Sequence, residues 1–509
     1  MKIVLAGSGQ TVSHWTPGDG TDRAPSPSSL RAEAARKALG DLRDVDAVAV
    51  VRTTEDSVPT STYPFGRDAN PPATLAHDLG LQPKHLIHSD VGGQTPGTLL
   101  LEMANRIADG EFGSVLISGA EATGASKLAS KAGMALDWSR DTEGETDERG
   151  PTLDWVDPLE LRHGLITPSH YYGLAESALA HLHTDALADY RAAMGRLLAP
   201  FSEVASANPH SMFREARSAD WLATPSPSNY PVAYPYLKWH IAQDAVNQGA
   251  AVLLMSESAA REAGRTDLAY LHAGASAANV MFTEREDIAY NSAADSVYEL
   301  LTDTVDLEVS SIDLWDIYSC FPVAVWTALV AFGMETPGLP GVAEEAADMG
   351  GYESDPAPAQ LTVTGGLPFF GGPGNNYSLH ALAEMHTRLS GTAKSGFVLA
   401  NGGWMSKVAG SLLSGAPVDY VPAPPMQKVT DTRPRVTEDC HGDLEAFTYT
   451  NTRSGPGRGA ALVRVRHTDR ALATVTGEDL ERLVRDPSPI GSAVDVVVRN
   501  GIGQLSFRA

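Results

Sequence analysis

The order in which apolar runs and helical periodicities alternate constrains this chain most. Residues 47–51 form an unbroken apolar run of strand length, and 114–118, with Val115-Leu116-Ile117 at their centre, are another buried-strand candidate. Runs without polar alternation suit strands buried on both faces, as in a sheet covered by helices on either side. Residues 3–6 read as an opening strand. Residues 29–39 follow a Pro-Ser-Pro-Ser stretch and place Leu30, Ala34, Ala35, Ala38 and Leu39 at helical spacing, with Ser28 or Ser29 as cap. Residues 98–108 repeat that pattern. From 122 to 235 the apolar strands give way to polar, helical and loop signals, with a charged stretch over 141–149. The segment reads as an excursion inserted into an α/β domain. Alternation resumes with a strand over 250–255 and a helix over 257–263.

The same order then recurs. Strands are expected at 268–273, 312–317, 361–364 and 396–400, and helices at 293–303, 323–332 and 379–389. No residue-level repeat links the halves, so the expectation is a duplicated topology. Residues 417–434 hold Pro422, Pro424, Pro425 and Pro434 and read as a linker. Beyond them, strands at 444–450, 460–466, 471–474 and 493–499 surround a helix at 478–484 capped by Thr476, a β-rich module of OB-like or other small-barrel type by strand count. From Pro434 onward there are ten arginines, ten acidic residues and no lysine, so the preceding residues carry the whole net charge of −25. The expected division is 1–121 with 236–262, an inserted 122–235, 263–417, a linker at 418–433, and 434–509.

That charge argues against nucleic acid as a partner, because a phosphate backbone selects basic surfaces. No apolar run approaches the roughly 20 residues of a membrane helix. The opening residues read as a strand and not as a signal peptide, so cytoplasmic residence is expected. Cys320 and Cys440 fall in different expected domains, against a disulfide framework or a cysteine metal site. The fifteen histidines lack metal-ligand spacing, and neither metal nor cofactor is expected.

Five segments, in order, resemble the thiolase superfamily, and within it the sterol-carrier-protein-type thiolases. Gly110 to Glu121 (GEFGSVLISGAE) is similar to the strand after the nucleophile helix. Ala207-Asn208-Pro209 is similar to the "ANP" turn. Gln248 to Leu254 (QGAAVLL) is similar to the "DGAAAvil" strand, with Gln248 in place of Asp. Asp316 to Phe321 (DIYSCF) is similar to "E-x-H-D-C-F", and Gly365 to Gly374 (GGLPFFGGPG) to "GGlisKGHPlG". The resemblance spans about 1–417. With the extra tail it points to the mycobacterial thiolase-like group of type 1, whose routine label is acetyl-CoA acetyltransferase. It implies a duplicated five-layer αβαβα fold with an inserted loop domain and an appended β-rich module.

The resemblance also implies where the chemistry sits. Thioester Claisen chemistry needs a thiolate to accept the acyl group, a base, a second acid/base, and donors for two oxyanions. Counting back from Glu121 without gaps puts Gly93 at the nucleophile position, and a small gap puts Val91 or Gly92 there. None can form an acyl-enzyme. Tyr318 stands for the oxyanion-donor histidine, Gly372 for the histidine that activates the nucleophile, and Cys320 matches the acid/base cysteine. Cys320 reads either as that site residue or as a small buried hydrophobe, and Tyr318 as a site donor or a core aromatic. Residues 371–377 read as a turn entering a helix, capped by Asn376 or Ser378, and also as an anion or thioester-oxygen pocket. Gly92, Gln94, Gly371, Gly374, Asn375, Asn376 and Asn401 are the candidate ligand-binding positions.

The leading expectation is a protein that binds CoA or acyl-CoA without standard thiolase activity. A second reading is a non-standard acyltransferase or thioester hydrolase using Cys320 or Ser319 with Tyr318. A third is a scaffold or interaction protein whose pocket is closed by Trp404 and the Phe369-Phe370 pair. The partner is then an acyl-CoA-type small molecule or another protein, and the oligomeric state monomer or dimer.

Overall fold

The computed structural model describes every residue except 59, 185, 340–359, 453–454, 466–467 and 509. The alternation resolves into two half-sheets of matching order. One runs His85–His88, Ala47–Val50, Ser114–Glu121, Gln248–Ser256, Ile3–Val12; the other runs Leu314–Ile317, Ser395–Gly402, Lys407–Ser414, Ala269–Ala278. In each, the pairs at the far edge are parallel and those towards the joint antiparallel. The halves meet where residues 3–5 pair with 269–271, giving one eleven-stranded sheet.

Helices Thr95–Ala108 and Tyr377–Leu389 lie between the halves and touch strands of both. Pro27–Leu39 and Pro71–Leu79 cover the outer face of the first half, and Ser292–Val305 covers that of the second. The result is the five-layer αβαβα order. The alternation along the first strand shows why: Ile3 and Leu5 enter the central core with Leu100 and Leu382, while Val4 and Ala6 enter the outer core with Ala34 and Ala38. Each such Ile, Leu or Val side chain, fully buried, contributes about 1.5–3 kcal/mol relative to exposure.

The strand expected at 361–364 is absent. It occupies the place of the third strand of the second half, where Ile317 N–H donates to the Leu361 carbonyl at 3.0 Å. The backbone N–H groups of Val363 and Thr364, together with the hydroxyls of Thr362 and Thr364, turn to the buried Asp316 carboxylate instead, at 2.9–3.1 Å. A carboxylate that takes these donors withdraws them from a sheet ladder. The first helix starts two residues earlier than expected, at Pro27, with Ser26 as its cap at 3.1 Å.

The edge strand His85–His88 is covered by Asp147–Glu148 in parallel pairing, and Glu148 binds Arg52 and, at 2.9 Å, His88. Ile87 and His88 are the residues so paired, which shortens the ladder the edge presents to another chain. Within 122–235, helices Pro168–His181 and Leu187–Ala207 share one core with Pro322–Ala331 and Ser292–Val305.

The C-terminal module is a closed five-stranded barrel. Cys440–Thr452 pairs Gly455–Val465, which pairs Asp469–Val475, then Ile502–Phe507, then Ala493–Arg499, which returns to Cys440–Thr452. With helix Gly477–Arg485 after the third strand, this is OB-type order. The fifth strand, Ile502–Phe507, is one that the sequence reading lacked, and the Arg466 end of the expected 460–466 strand lies outside the described residues. The proline-rich stretch is a strap and not a free linker: Tyr420 N–H donates to the Met1 carbonyl, Val421 to His272, and Gln427–Lys428 pairs with 277–278. Among the described residues no helix is long and apolar enough to cross a membrane.

Candidate functional site

The site forms where the start of the first central helix meets the ends of two strands of the second half. Gly92, Gly93 and Gln94 make the turn into Thr95–Ala108. Tyr318 follows strand Leu314–Ile317, and Asn401 lies near the end of strand Ser395–Gly402. All three strand-end and turn elements are buried, with Gln94, Asn401, Cys320 and Tyr318 each below one-tenth exposed.

Gly93 faces the Tyr318 ring. A β-carbon on Gly93 would stand 2.5 Å from the Tyr318 hydroxyl oxygen and 2.8 Å from Cζ, besides meeting the Asn401 carbonyl. The phenol therefore takes the space that a side chain at position 93 would occupy. Tyr318 N–H is fixed by the Leu399 carbonyl at 3.0 Å, and its ring packs edge-on to Tyr377 at 5.3 Å. Tyr377 in turn hydrogen-bonds Asp316 at 3.1 Å and Thr364 at 2.6 Å. Burial raises the Tyr318 hydroxyl well above its ordinary pKa, with the nearby Cys320 adding to it, so the phenol stays neutral.

Cys320 is buried, and that burial pushes its thiol up to about 12, outweighing the Tyr172 hydrogen bond that favours the thiolate. Both cysteines are free. The Tyr172 hydroxyl receives the Asn401 amide at 3.1 Å and lies 3.2 Å from the Gly403 carbonyl, and its ring stacks on Phe321 at 4.3 Å. Ser319 Oγ accepts the Leu367 N–H at 3.2 Å and is fully buried. A protonated thiol and a buried serine of this kind make weak nucleophiles.

The candidate ligand positions divide. Asn375 accepts the Gly92 N–H at 3.1 Å and donates to the Arg52 carbonyl and Ser57 Oγ, both at 2.9 Å. Asn376 donates to the Gly119 carbonyl at 2.9 Å. Both amides thus tie the 371–377 turn to the first half. Gly374, at φ 50°, lies so close to Thr54 and Glu121 that only a residue without a β-carbon fits. Gly372 donates its N–H to the Gln243 carbonyl at 2.8 Å, and Ala242 N–H reaches the Cys320 carbonyl at 2.8 Å, so residues 242–243 bridge these two positions. A β-carbon on Gly371 would meet Gln248, whose amide holds the His210 and Phe370 carbonyls at 3.0 Å.

Two polar atoms remain without partners beside Gly93: Gln94 Oε1 and Asn401 Oδ1. A β-carbon on Gly92 or on Gly402 would meet Gln94, so that amide lies between the two turns. Buried acceptors without donors are expensive, and they suit a ligand bearing N–H, O–H or S–H groups. Helix 377–389 is capped at Asn376 without a side-chain cap bond, while Ser378 Oγ instead donates to the Gly93 carbonyl at 2.8 Å. Ser378 and Tyr172 were not legible as site residues, since no local pattern marks either. The aromatic residues expected to close the pocket pack against neighbouring rings. Trp404 stacks on Tyr171 at 4.3 Å, and Phe369 and Phe370 pack on Trp239 and His380.

No protein-family model matches the chain, and no curated protein does. Solved structures do. A monomeric SCP2-thiolase-like protein type 1 from Mycobacterium smegmatis is 29% identical, with 99% of each chain covered and a TM-score of 0.78. An acetyl-CoA acetyltransferase from Syntrophomonas wolfei is 14% identical over 82% of this chain and 99% of its own, with a TM-score of 0.52. The human mitochondrial 3-ketoacyl-CoA thiolase in complex with CoA is 15% identical over 82% and 98%, at 0.51. The likeness to the last two is one of fold.

Proposed function

The chain belongs to the thiolase superfamily, and we propose that it holds CoA or an acyl-CoA thioester without forming the acyl-enzyme on which thiolase chemistry depends. The observation that carries this reading is the packing of the Tyr318 phenol into the space beside Gly93. Claisen condensation on an enzyme thiolate needs a sulfur at the helix start and room for the acyl group it receives. Here the helix start offers backbone, and the room is taken. Tyr318 can still donate one hydrogen bond to a thioester oxygen, and the unpartnered Gln94 and Asn401 oxygens can accept from the ligand's N–H groups. A scaffold with donors but no nucleophile leaves residual rate enhancement at most.

The test combines calorimetry with intact-mass spectrometry. Saturable binding of CoA and acetyl-CoA with no mass increment supports the proposal. An acyl adduct removes it.

A second reading, a scaffold with a closed pocket, is favoured by one observation: the Asn375 amide and the Asn376 amide nitrogen are spent on internal bonds. Absence of any CoA or acyl-CoA affinity up to about millimolar concentration would decide for it. On either reading we propose a monomer, because Ile87 and His88 of the His85–His88 edge are already paired.

A further inference from the structure

Glu121 ends strand Ser114–Glu121 and is 2% exposed. Its Oε1 accepts the Thr54 N–H at 2.6 Å and the Thr54 hydroxyl at 2.8 Å. Among the described residues no donor reaches its Oε2. The carboxyl lines a cavity of about 360 Å³, together with Glu55, Lys127, Pro27, Val58 and Trp138. Lys127 is engaged elsewhere, 2.7 Å from Asp244. Neither Glu55 nor Glu121 has an ion-pair partner among the described residues. A cavity of this size, with a mostly apolar surface and the Glu121 carboxyl in its wall, has the character of a small-molecule site.

We propose that this cavity binds an amphipathic organic ammonium ion, its nitrogen on Glu121 Oε2 and its apolar part against Trp138 and Val58. A buried carboxylate without a counter-charge is costly, and here burial pushes Glu121 up to about 7. An arriving cation supplies the missing charge, and Trp138 and Val58 offer apolar surface to the rest of the ligand. Two unpaired carboxylates repel an anion such as a phosphate or carboxylate ligand. A metal ion finds no cage, since among the described residues no three His, Cys, Asp or Glu side chains converge. The site is independent of the thioester reading, and neither depends on the other's success.

The experiment titrates the full chain at about pH 8, where Glu121 is charged, with hexylammonium and with 1-hexanol of equal apolar length. Calorimetry and tryptophan fluorescence report the binding. The expected result is saturable hexylammonium binding at least about tenfold tighter than hexanol. Glu121→Gln, which keeps the shape, should weaken it about tenfold. Val58→Arg, at an exposed rim position where folding is not at stake, should compete for the space and do the same. Equal affinity for the alcohol, unchanged affinity in Glu121→Gln with intact circular dichroism, or no saturable binding below about 10 mM would each overturn the proposal.

Discussion

The hydroxyl oxygen of Tyr318 lies 2.5 Å from where a β-carbon on Gly93 would stand. Gly93→Cys therefore overpacks the helix start and should destabilise the protein by about 1–3 kcal/mol in urea unfolding. Tyr318→Ala opens a cavity and also destabilises. Because the two changes share one space, the double variant should lose less than the sum of the singles. Additive losses would show that the ring and the turn do not compete.

The two cysteines should differ sharply towards an alkylating agent. The Cys320 thiol is buried and pushed up to about 12, whereas Cys440 is half-buried and raised less. Iodoacetamide at neutral pH should modify Cys440 first, and Cys320 only after unfolding. Peptide mass mapping reads the order, and fast labelling of Cys320 in the native protein would count against its inert role.

Acid sensitivity should trace in part to His240. Burial holds its imidazole down at about 3, against 6.5 when exposed. Its stabilising contribution is complete above pH 6.5 and is lost as pH falls towards 3, because the unfolded chain takes up the proton first. Buried Glu121 and Glu176, raised to about 7, act with the opposite sign: their contribution is full below 4.5 and is lost as pH rises through 7. Comparing His240→Gln with the parent cancels these carboxyls. The difference in unfolding free energy should shift by about 2–3 kcal/mol in the variant's favour between neutral pH and about pH 4.5.

Arg470 is fully buried at the seam between barrel and body. It binds Glu445 at 2.6 and 2.8 Å and the carbonyls of Arg285 at 2.5 Å, Thr283 and Glu286 at 3.3 Å. Arg470→Met takes from Glu445 its two short bonds, leaving Arg433 at 3.5 Å, and strips three carbonyls of a donor, and should cost about 3 kcal/mol. Lysine cannot restore the fork of contacts. Limited proteolysis should release the 434–509 module from the methionine variant faster than from the parent.

Glu148 pins the short strand that covers the His85–His88 edge. Glu148→Lys places a cation beside Arg52 and His88 and should free that edge. Light scattering should then show concentration-dependent association that the parent lacks.

The five-layer order was legible because its strands are apolar runs and its helices carry a clean periodicity, as 47–51 and 29–39 show. Elements whose stability is tertiary were not. Ile502–Phe507 reads IGQLSF and has no run of its own, yet it closes the barrel between two partners. Lys407–Ser414 contains Gly410, which suits its close approach to Phe397 and hides it as a strand. At 361–364 the reverse happened: a β-branched stretch of strand type, Leu-Thr-Val-Thr, was drawn onto Asp316 through its backbone and its threonines.

For the site, order along the chain brought out Gly93, Tyr318 and Asn401, which the fold gathers around one turn. It could not reveal that Tyr318 occupies the space at Gly93, since contact between residues so far apart in sequence is set by strand register. Tyr172 and Ser378 were hidden for the same reason.

The barrel buries Ala460, Leu462 and Leu472 in the same core as the body's helices, while Ala461, Val463, Ala471 and Ala473 fill its own interior. Its second and third strands are thus apolar on both sides. Severing the chain at the proline-rich strap would yield two sticky fragments in place of two soluble ones, so the tail has no separate life: expressed alone, it should need a detergent or a surrogate surface to stay in solution.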